Sequence, residues 1–499
     1  MSPRPPGGAA PAGPAGGPPE VEAEAVRETH CSRVLLRGDR AYKVRKPVRF
    51  AFVDQASAAA RRALAAEEVR LNQELAPDTY LGVVDVRTLD GQLEPAVEMR
   101  RFAESDTLAA RLAAGTAAPE DLDRLGRRLA AFHAGAARVD GGAGAALARA
   151  DRNAEELAQL LGPELRASDL WRCTRGLSAG ILRRAGDLDR RAHDGRWRDG
   201  HGDLRADHVV LGAGGLRIVD RLEFDPALRA DDAGGDLAFL LMDLEARGAR
   251  WAAGAVLGAY RDAGGDPGDD ALLALWGAYR AMVAAKVAFL WATQTRDPSV
   301  LARAHTRMEL AGTLLWRARG PLVLVVCGPP GTGKSTLAAE LGRRTGLPVV
   351  ATDAVRKELA GVAPERRAPP EAYDAAMTAR VHDAVGARAA AVRTACGGAI
   401  VDGTMRSADV RAALRAHLSG TRLAWVECRA PAAVAAARAD ARAAAGGALS
   451  DADGAIAARL AAAWEPLDDV PAGDHVVLRA DRAPGDAADE LESRLDAQL

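Results

Sequence analysis

Lysine is nearly absent from this chain: 66 residues are basic, yet only those at 43, 46, 286, 334 and 357 are lysine. Arginine serves wherever either base would do. A lysine that persists is therefore a candidate for a site that needs a compact point charge rather than a planar fork. Cysteine is scarce too. The five cysteines, at 31, 173, 327, 396 and 428, are scattered, with no C-x-x-C spacing. That excludes a disulfide framework or a zinc site and suits reduced thiols in a cytoplasm. Aromatics make up 4% of the chain and alanine dominates its apolar residues, which favours Ala-rich helices with smaller sheets. The formal charge of −2 excludes a general basic field for nucleic acid but leaves room for a local basic groove. No run reaches the length of a membrane span without charges, so no membrane partner is expected. Residues 1–24 are rich in Pro, Gly and Ala and lack the apolar core of a leader peptide; they read as a disordered tail.

What is present is organised in two textures. With 499 residues the chain should hold two to four domains. "RVLLRGDRAYKV" (33–44) predicts strand, Gly-Asp turn, strand, and "SAAARRALAAEEVRLNQEL" (57–75) an amphipathic helix. Residues 80–102 predict a hairpin turning at Asp90-Gly91. From 104 the pattern is mostly helical up to "RARGP" (317–321), where β-rich "PLVLVVCG" begins an alternation of strands and helices. The simplest division is a tail 1–24, a first domain 25–318 with a small lobe 25–103 and a helical lobe 104–318, and an α/β domain 321–499, with the boundary near 319.

"GPPGTGKS" satisfies the spacing G-x-x-x-x-G-K-[ST]. Gly328, Gly331 and Gly333 allow backbone N–H groups to approach phosphate oxygens. Lys334 supplies a point charge, and Ser335 suits Mg²⁺. Pro329, Pro330, Thr332 and Thr336 complete a loop for ATP, with a buried strand before it and a helix after it. Asp402, ending "AIVD", is placed to hold the metal through water, or is an ordinary strand-end turn residue. Asp353 is a candidate base for a substrate hydroxyl or a plain N-cap, with Arg356 one helical turn on as a substrate-phosphate ligand. Arg438 and Arg442 are one turn apart and could close over phosphates, or form a solvated face. Residues 321–475 resemble small P-loop kinases of the polynucleotide-kinase and zeta-toxin type.

"HGDLRADHVVL" (201–211) poses a second question. Phosphotransfer needs a carboxylate near the acceptor hydroxyl, a metal ligand five residues on and an acid on the next strand. Asp203 and Asp220 fill the first and third places, but His208 stands where Asn is usual, and Mg²⁺ prefers oxygen donors. His201 would brace the loop through backbone hydrogen bonds. Together with residues 28–50, 70–84 and 218–245, this stretch resembles a bacterial two-part family. That family fuses an aminoglycoside-phosphotransferase-like kinase domain of protein-kinase-like bilobal fold to an AAA-type P-loop ATPase. The resemblance implies Asp203 as catalytic acid, Asp220 and His208 at Mg²⁺, and Lys43 on the α/β-phosphates. It also implies Glu68 as the partner of Lys43, with Glu67 and Lys46 as rivals, and Glu98–Phe102 as the hinge behind the adenine. The fold class expected is α+β followed by α/β. The function expected is γ-phosphoryl transfer from Mg²⁺·ATP to a small-molecule or nucleotide-like hydroxyl. The alternatives are a nucleotide-gated regulator with a pseudokinase first half, and a polynucleotide 5′-kinase.

Overall fold

The computed structural model describes every residue except 1–24, 29–30, 51–52, 89–90, 161–166, 213, 446–448 and 499. The expected tail and Asp90 of the expected turn lie outside the described residues. The chain forms two compact units, each assembled from separated stretches. The first runs through Val139 and resumes over Trp197–Asp266; the second comprises Asp140–Arg196 and Pro267–Leu499.

The first unit begins with a five-stranded antiparallel sheet. Its strands β1 (Ala25–Glu28), β2 (Ser32–Arg37), β3 (Arg40–Arg45), β4 (Tyr80–Arg87) and β5 (Leu93–Arg100) lie in the order β1-β2-β3-β5-β4. The helix Ala58–Asn72 packs on β4 and β5. It starts where expected because the Ser57 hydroxyl accepts the Ala60 N–H at 3.1 Å, a side-chain cap. Helices Pro119–Gly135, Ala233–Ala246 and Arg250–Asp262 form a second layer around Leu122, Leu125, Leu129, Leu237, Leu240 and Leu244. Two of these helices cross closely at Gly126, where a Cβ would stand 2.5 Å from the Val256 carbonyl oxygen. Between the layers lies a short hairpin of β6 (Val209–Gly212) and β7 (Gly215–Ile218).

The second unit holds a five-stranded, wholly parallel sheet. Strands β8 (Leu322–Cys327), β9 (Val349–Ala351), β10 (Gly398–Asp402), β11 (Arg422–Arg429) and β12 (His475–Arg479) take the order β9-β10-β8-β11-β12. Along β8, Leu322, Leu324 and Val326 face one core, and Val323, Val325 and Cys327 face the other. That two-sided burial is why β8 reads as an unbroken apolar run. β12 escaped the sequence reading because it is short and begins and ends on polar residues.

The units do not divide near residue 319. Helices Ala143–Ala158, Ala167–Arg183, Asp270–Thr295 and Pro298–Arg317, expected in the helical lobe of the first domain, belong to the same unit as the parallel sheet. "RARGP" looked like a polar linker, but its surroundings are core. Trp316 packs with Leu322, Leu324 and Leu491. The Arg319 guanidinium is buried and donates to Asp496 Oδ1 at 2.7 Å. Glu492, also buried, accepts from Trp316 Nε1 at 3.3 Å and Arg344 at 3.2 Å, and lies 3.5 Å from Arg172. Among the described residues one helix, Asp270–Thr295, is long and apolar enough to cross a membrane, and 72% of that window is buried inside the protein.

Candidate active sites

From β3, the Lys43 Nζ donates to Glu68 Oε1 at 2.8 Å and Asp220 Oδ1 at 2.7 Å. Glu68 is the partner rather than Glu67, because Glu68 lies on the buried face of its helix while Glu67 faces out and pairs with Arg70. Lys46 pairs with Glu28 instead. Burial lowers the Lys43 ammonium's pKa, but Asp220, Glu68 and Glu223 outweigh it and raise it well above its ordinary value. Burial likewise opposes ionisation of Asp220, and Lys43 and His208 overcome it, holding that carboxyl well below the usual range. Asp220 directly follows the run after β7 with φ of +63°, a left-handed conformation that Asp tolerates better than most residues. Its N–H donates to the Tyr80 hydroxyl at 2.9 Å.

Asp203 lies in the loop leading to β6. Arg205, a residue the sequence reading passed over, donates to both its carboxylate oxygens, at 2.8 and 2.9 Å. Burial raises the Asp203 carboxyl, but Arg205 and His208 bring it below its ordinary value, so it stays ionised. His201 does brace the loop: its Nε2 donates to the Val219 carbonyl at 3.0 Å and its Nδ1 faces the Asp203 N–H at 3.3 Å. Two further carboxylates hold this loop. Asp236 accepts the N–H groups of His201 and Gly202 at 2.7 and 2.9 Å, and Asp243 accepts that of Ala206 at 3.1 Å. They are seven residues apart in "DLAFLLMDLE", two helical turns on one face. Two acids a heptad apart on the buried face of a largely apolar helix were the available signal.

Burial pushes the His201 imidazole down to about 4. Since the unfolded side chain protonates near 6.5 and the folded one does not, the folded state loses stability as pH falls from about 6.5 to 4, by up to roughly 3 kcal/mol. Acid titration of the melting transition should show this loss, and His201→Gln should flatten it. An unchanged slope in that variant would mean His201 is not a neutral buried brace.

In the second unit β8 delivers the chain into the phosphate loop. Gly328, Gly331 and Gly333 all have positive φ (+141°, +81° and +94°), and a Cβ on Gly331 would strike the Ala435 carbonyl oxygen at 2.0 Å. Thr332 Oγ1 donates to the Pro329 carbonyl at 2.8 Å, tying the turn before Pro330. The helix Lys334–Thr345 starts at the loop's end, with Ser335 and Thr336 in its first turn. Asp402 ends β10 close by. Its Oδ1 is buried with no hydrogen-bond partner. Burial raises its carboxyl, an effect that Lys334 and the Ser335 hydroxyl offset only in part and that Asp353 reinforces. An orphaned carboxylate oxygen beside a loop hydroxyl fits a hard dication; Ser335 and Asp402 would hold Mg²⁺ there.

Asp353 is not an N-cap. The cap of helix Thr352–Leu359 is Ala351, and Asp353 lies inside the first turn. Arg356 is buried. It donates to the Ala372 carbonyl at 2.6 Å and the Thr378 hydroxyl at 3.3 Å, and lies over the Tyr373 ring. Arg438 reaches the Ala480 carbonyl at 2.9 Å, the same atom that crowds Gly333, so it borders the loop. Arg442 instead donates to the Ala452 carbonyl at 3.2 Å, and the two arginines do not act as one clamp in this state.

Residues 323–467 match the AAA domain family. The uncharacterized protein Rv2004c of Mycobacterium tuberculosis strain H37Rv is 35% identical over 449 residues, 88% of this chain and 89% of that protein. The uncharacterized protein Mb2027c of Mycobacterium bovis matches equally. Among solved structures, a gluconokinase from Sinorhizobium meliloti 1021 covers 36% of this chain and 94% of its own, at 19% identity and a TM-score of 0.28. A choline kinase from Cryptosporidium parvum Iowa II covers 57% of this chain and 87% of its own, at 10% identity and a TM-score of 0.37.

Proposed function

The chain belongs to one family with these mycobacterial proteins, and for this member we propose phosphoryl transfer from Mg²⁺·ATP to a hydroxyl of a small anionic acceptor, with nucleotide held in both units. One observation carries the reading. Among the described residues the Lys334 ammonium makes no hydrogen bond or close ion pair, and Asp402 Oδ1, within its electrostatic reach, is buried without a hydrogen-bond partner. A cation and a carboxylate oxygen left open side by side are what a metal-bound polyphosphate requires. The dication, when bound, neutralises charge on the β- and γ-phosphates.

The chain's own groups divide the remaining work. Lys334 and the loop N–H groups hold the phosphates. Asp353, within electrostatic reach of Asp402 and Tyr373, accepts the acceptor's hydroxyl proton. Arg356 has no carboxylate within ion-pair distance among the described residues, and its Nε is buried without a partner. A buried guanidinium with only neutral acceptors favours a substrate that brings the counter-charge. In the first unit Lys43, Asp220 and Asp203 supply the corresponding cation, metal-holding acid and base.

Incubating the full chain with labelled ATP and a metabolite extract, then detecting masses that gained a phosphoryl group, tests the proposal. An anionic acceptor is expected. Release of bare phosphate alone would favour a nucleotide-gated regulator, and labelled nucleic-acid ends a polynucleotide kinase. In a chain whose first unit is silenced by Asp203→Asn, Asp353→Asn should leave ATP affinity within about twofold and lower the remaining transfer by at least about 100-fold, since the amide cannot accept the proton. Transfer at the parental rate in this variant would remove Asp353 from the role of base.

A further inference from the structure

We propose that Asp451 and Tyr373 form a clasp that positions Arg356, so that the second unit selects an acceptor presenting two oxygens of one oxyanion side by side. The inference deepens the proposed function and rests on its reading of Arg356 as the group that meets the acceptor's charge. The Arg356 guanidinium is buried, and its hydrogen bonds use one nitrogen only. Nη1 donates to the Ala372 carbonyl at 2.6 Å and the Thr378 hydroxyl at 3.3 Å. Among the described residues Nε and Nη2 donate to nothing. Those two nitrogens form the edge of a guanidinium that takes a carboxylate or phosphate bidentately. Such a fork is selective only while its plane is held still.

The Tyr373 ring holds that plane. It lies over the guanidinium, with its centroid 4.8 Å from Cζ. Tyr373 ends the short turn Pro370–Tyr373 and is 46% exposed, so its own packing does little to fix the ring. Its hydroxyl does that work by donating to Asp451 Oδ2 at 2.6 Å. The same oxygen accepts the Ala368 N–H at 2.8 Å, and the buried Lys357 Nζ, from the helix that carries Arg356, lies 3.2 Å from Oδ1. One carboxylate therefore ties both ends of the segment 357–373. Burial opposes ionisation of Asp451, but Tyr373, the Ala368 N–H and Lys357 outweigh it and hold the carboxyl below its ordinary value. Burial and Asp451 push the Tyr373 phenol up, so its hydroxyl stays a donor. Asp451 is in turn anchored from a different element, the helix Ala432–Ala445. Arg442 donates to the Ala452 carbonyl at 3.2 Å, and Asp440 Oδ1 accepts the Gly454 N–H at 2.7 Å. Without Asp451, Arg356 keeps its bonds to Ala372 and Thr378 but loses the fixed ring above it.

The test uses the full chain saturated with a non-hydrolysable ATP analogue, which fills the phosphate loop, and inorganic phosphate as the probe. Hydrogen–deuterium exchange of peptides covering 366–378 reads the response. Phosphate is expected to slow exchange there in the parent but not in Arg356→Lys, which lacks the planar fork. Half-saturation should need at least about fivefold more phosphate in Asp451→Ala and in Tyr373→Phe. The double variant should be no worse than either single one, because both break the same link, whereas two residues that merely support the fold would show additive losses. Parental half-saturation in both single variants, or additive losses in the double, would overturn the clasp alone. No response to phosphate in the parent, or a full response in Arg356→Lys, would take Arg356 out of the acceptor site, and the inference falls with it.

Discussion

Lys334→Ala is expected to lower ATP turnover by about 100- to 1,000-fold, in a chain whose first unit is silenced by Asp203→Asn, while leaving the fold intact. The two effects separate because of where the side chain sits. Lys334 opens its helix, where the macrodipole's positive end repels a cation. The nearby Asp402 carboxylate attracts it, but among the described residues no protein group accepts a hydrogen bond from its ammonium. The substitution should therefore change the stability of the apo protein by less than about 1 kcal/mol. A nucleotide's phosphates supply what the protein does not, so the entire cost falls on the bound state. Phosphate release assays and thermal melts of the same preparation read both effects. Turnover near the parental rate would end the assignment of the loop; a collapsed melt would show that Lys334 has a structural duty.

Severing the chain after Gly320 should leave residues 321–499 without a cooperative melt. The cut removes Trp316 from the core that covers one face of β8, a loss of about 3–5 kcal/mol. It also removes Arg319 from Asp496 and Arg172 from Glu492, leaving two buried acids short of their cations. Each such orphaned charge costs about 3–5 kcal/mol, and the sum matches or exceeds the whole stability of an ordinary domain, about 5–15 kcal/mol. In the intact chain, Glu492→Ala should cost about 1–3 kcal/mol, because it removes the buried acceptor of Trp316 Nε1 and Arg344 and the closest buried acid of Arg172. A soluble, monomeric 321–499 fragment with a sharp transition would mean that the helices contribute little to the sheet's stability.

Much of the local geometry of this protein was legible in its sequence, and its division into bodies was not. Ser57, the glycine spacing of 328–333 and the alternating turns of the small sheet act within a few residues, so each announces itself. Lys43 was singled out by the scarcity of lysine, whereas Glu68 as its partner came only from the family resemblance, with Glu67 left open as a rival. Asp353's cap reading failed because Thr352 begins the helix two residues earlier than a cap at Asp353 requires. Arg205 was missed because its charge looks like surface until Asp203 is seen to need a partner. The boundary was misplaced for a different reason. Apolar stripes on the helices after 140 and after 267 show that those faces are covered, but periodicity carries no address for the surface that covers them. Buried arginines such as Arg319 compound the error, since a polar residue in a short connection reads as solvent-facing.

The interleaving of the two bodies bears on how the chain is made. The first can close once residue 266 has left the ribosome, because its two stretches are then both available. The second cannot. Its helices from Asp140–Arg196 emerge early, yet Asp270–Thr295 and Pro298–Arg317, which pack on them, follow residue 266, and Pro484–Gln498, which packs on Ala167–Arg183, is the last element made. At about 5–20 residues per second, the face that meets that last helix waits for at least about 15 seconds of further synthesis before its partner exists. The same order of assembly constrains inheritance: no single splice point exchanges one body for another, so the two modules can only have changed partners together with the crossings between them.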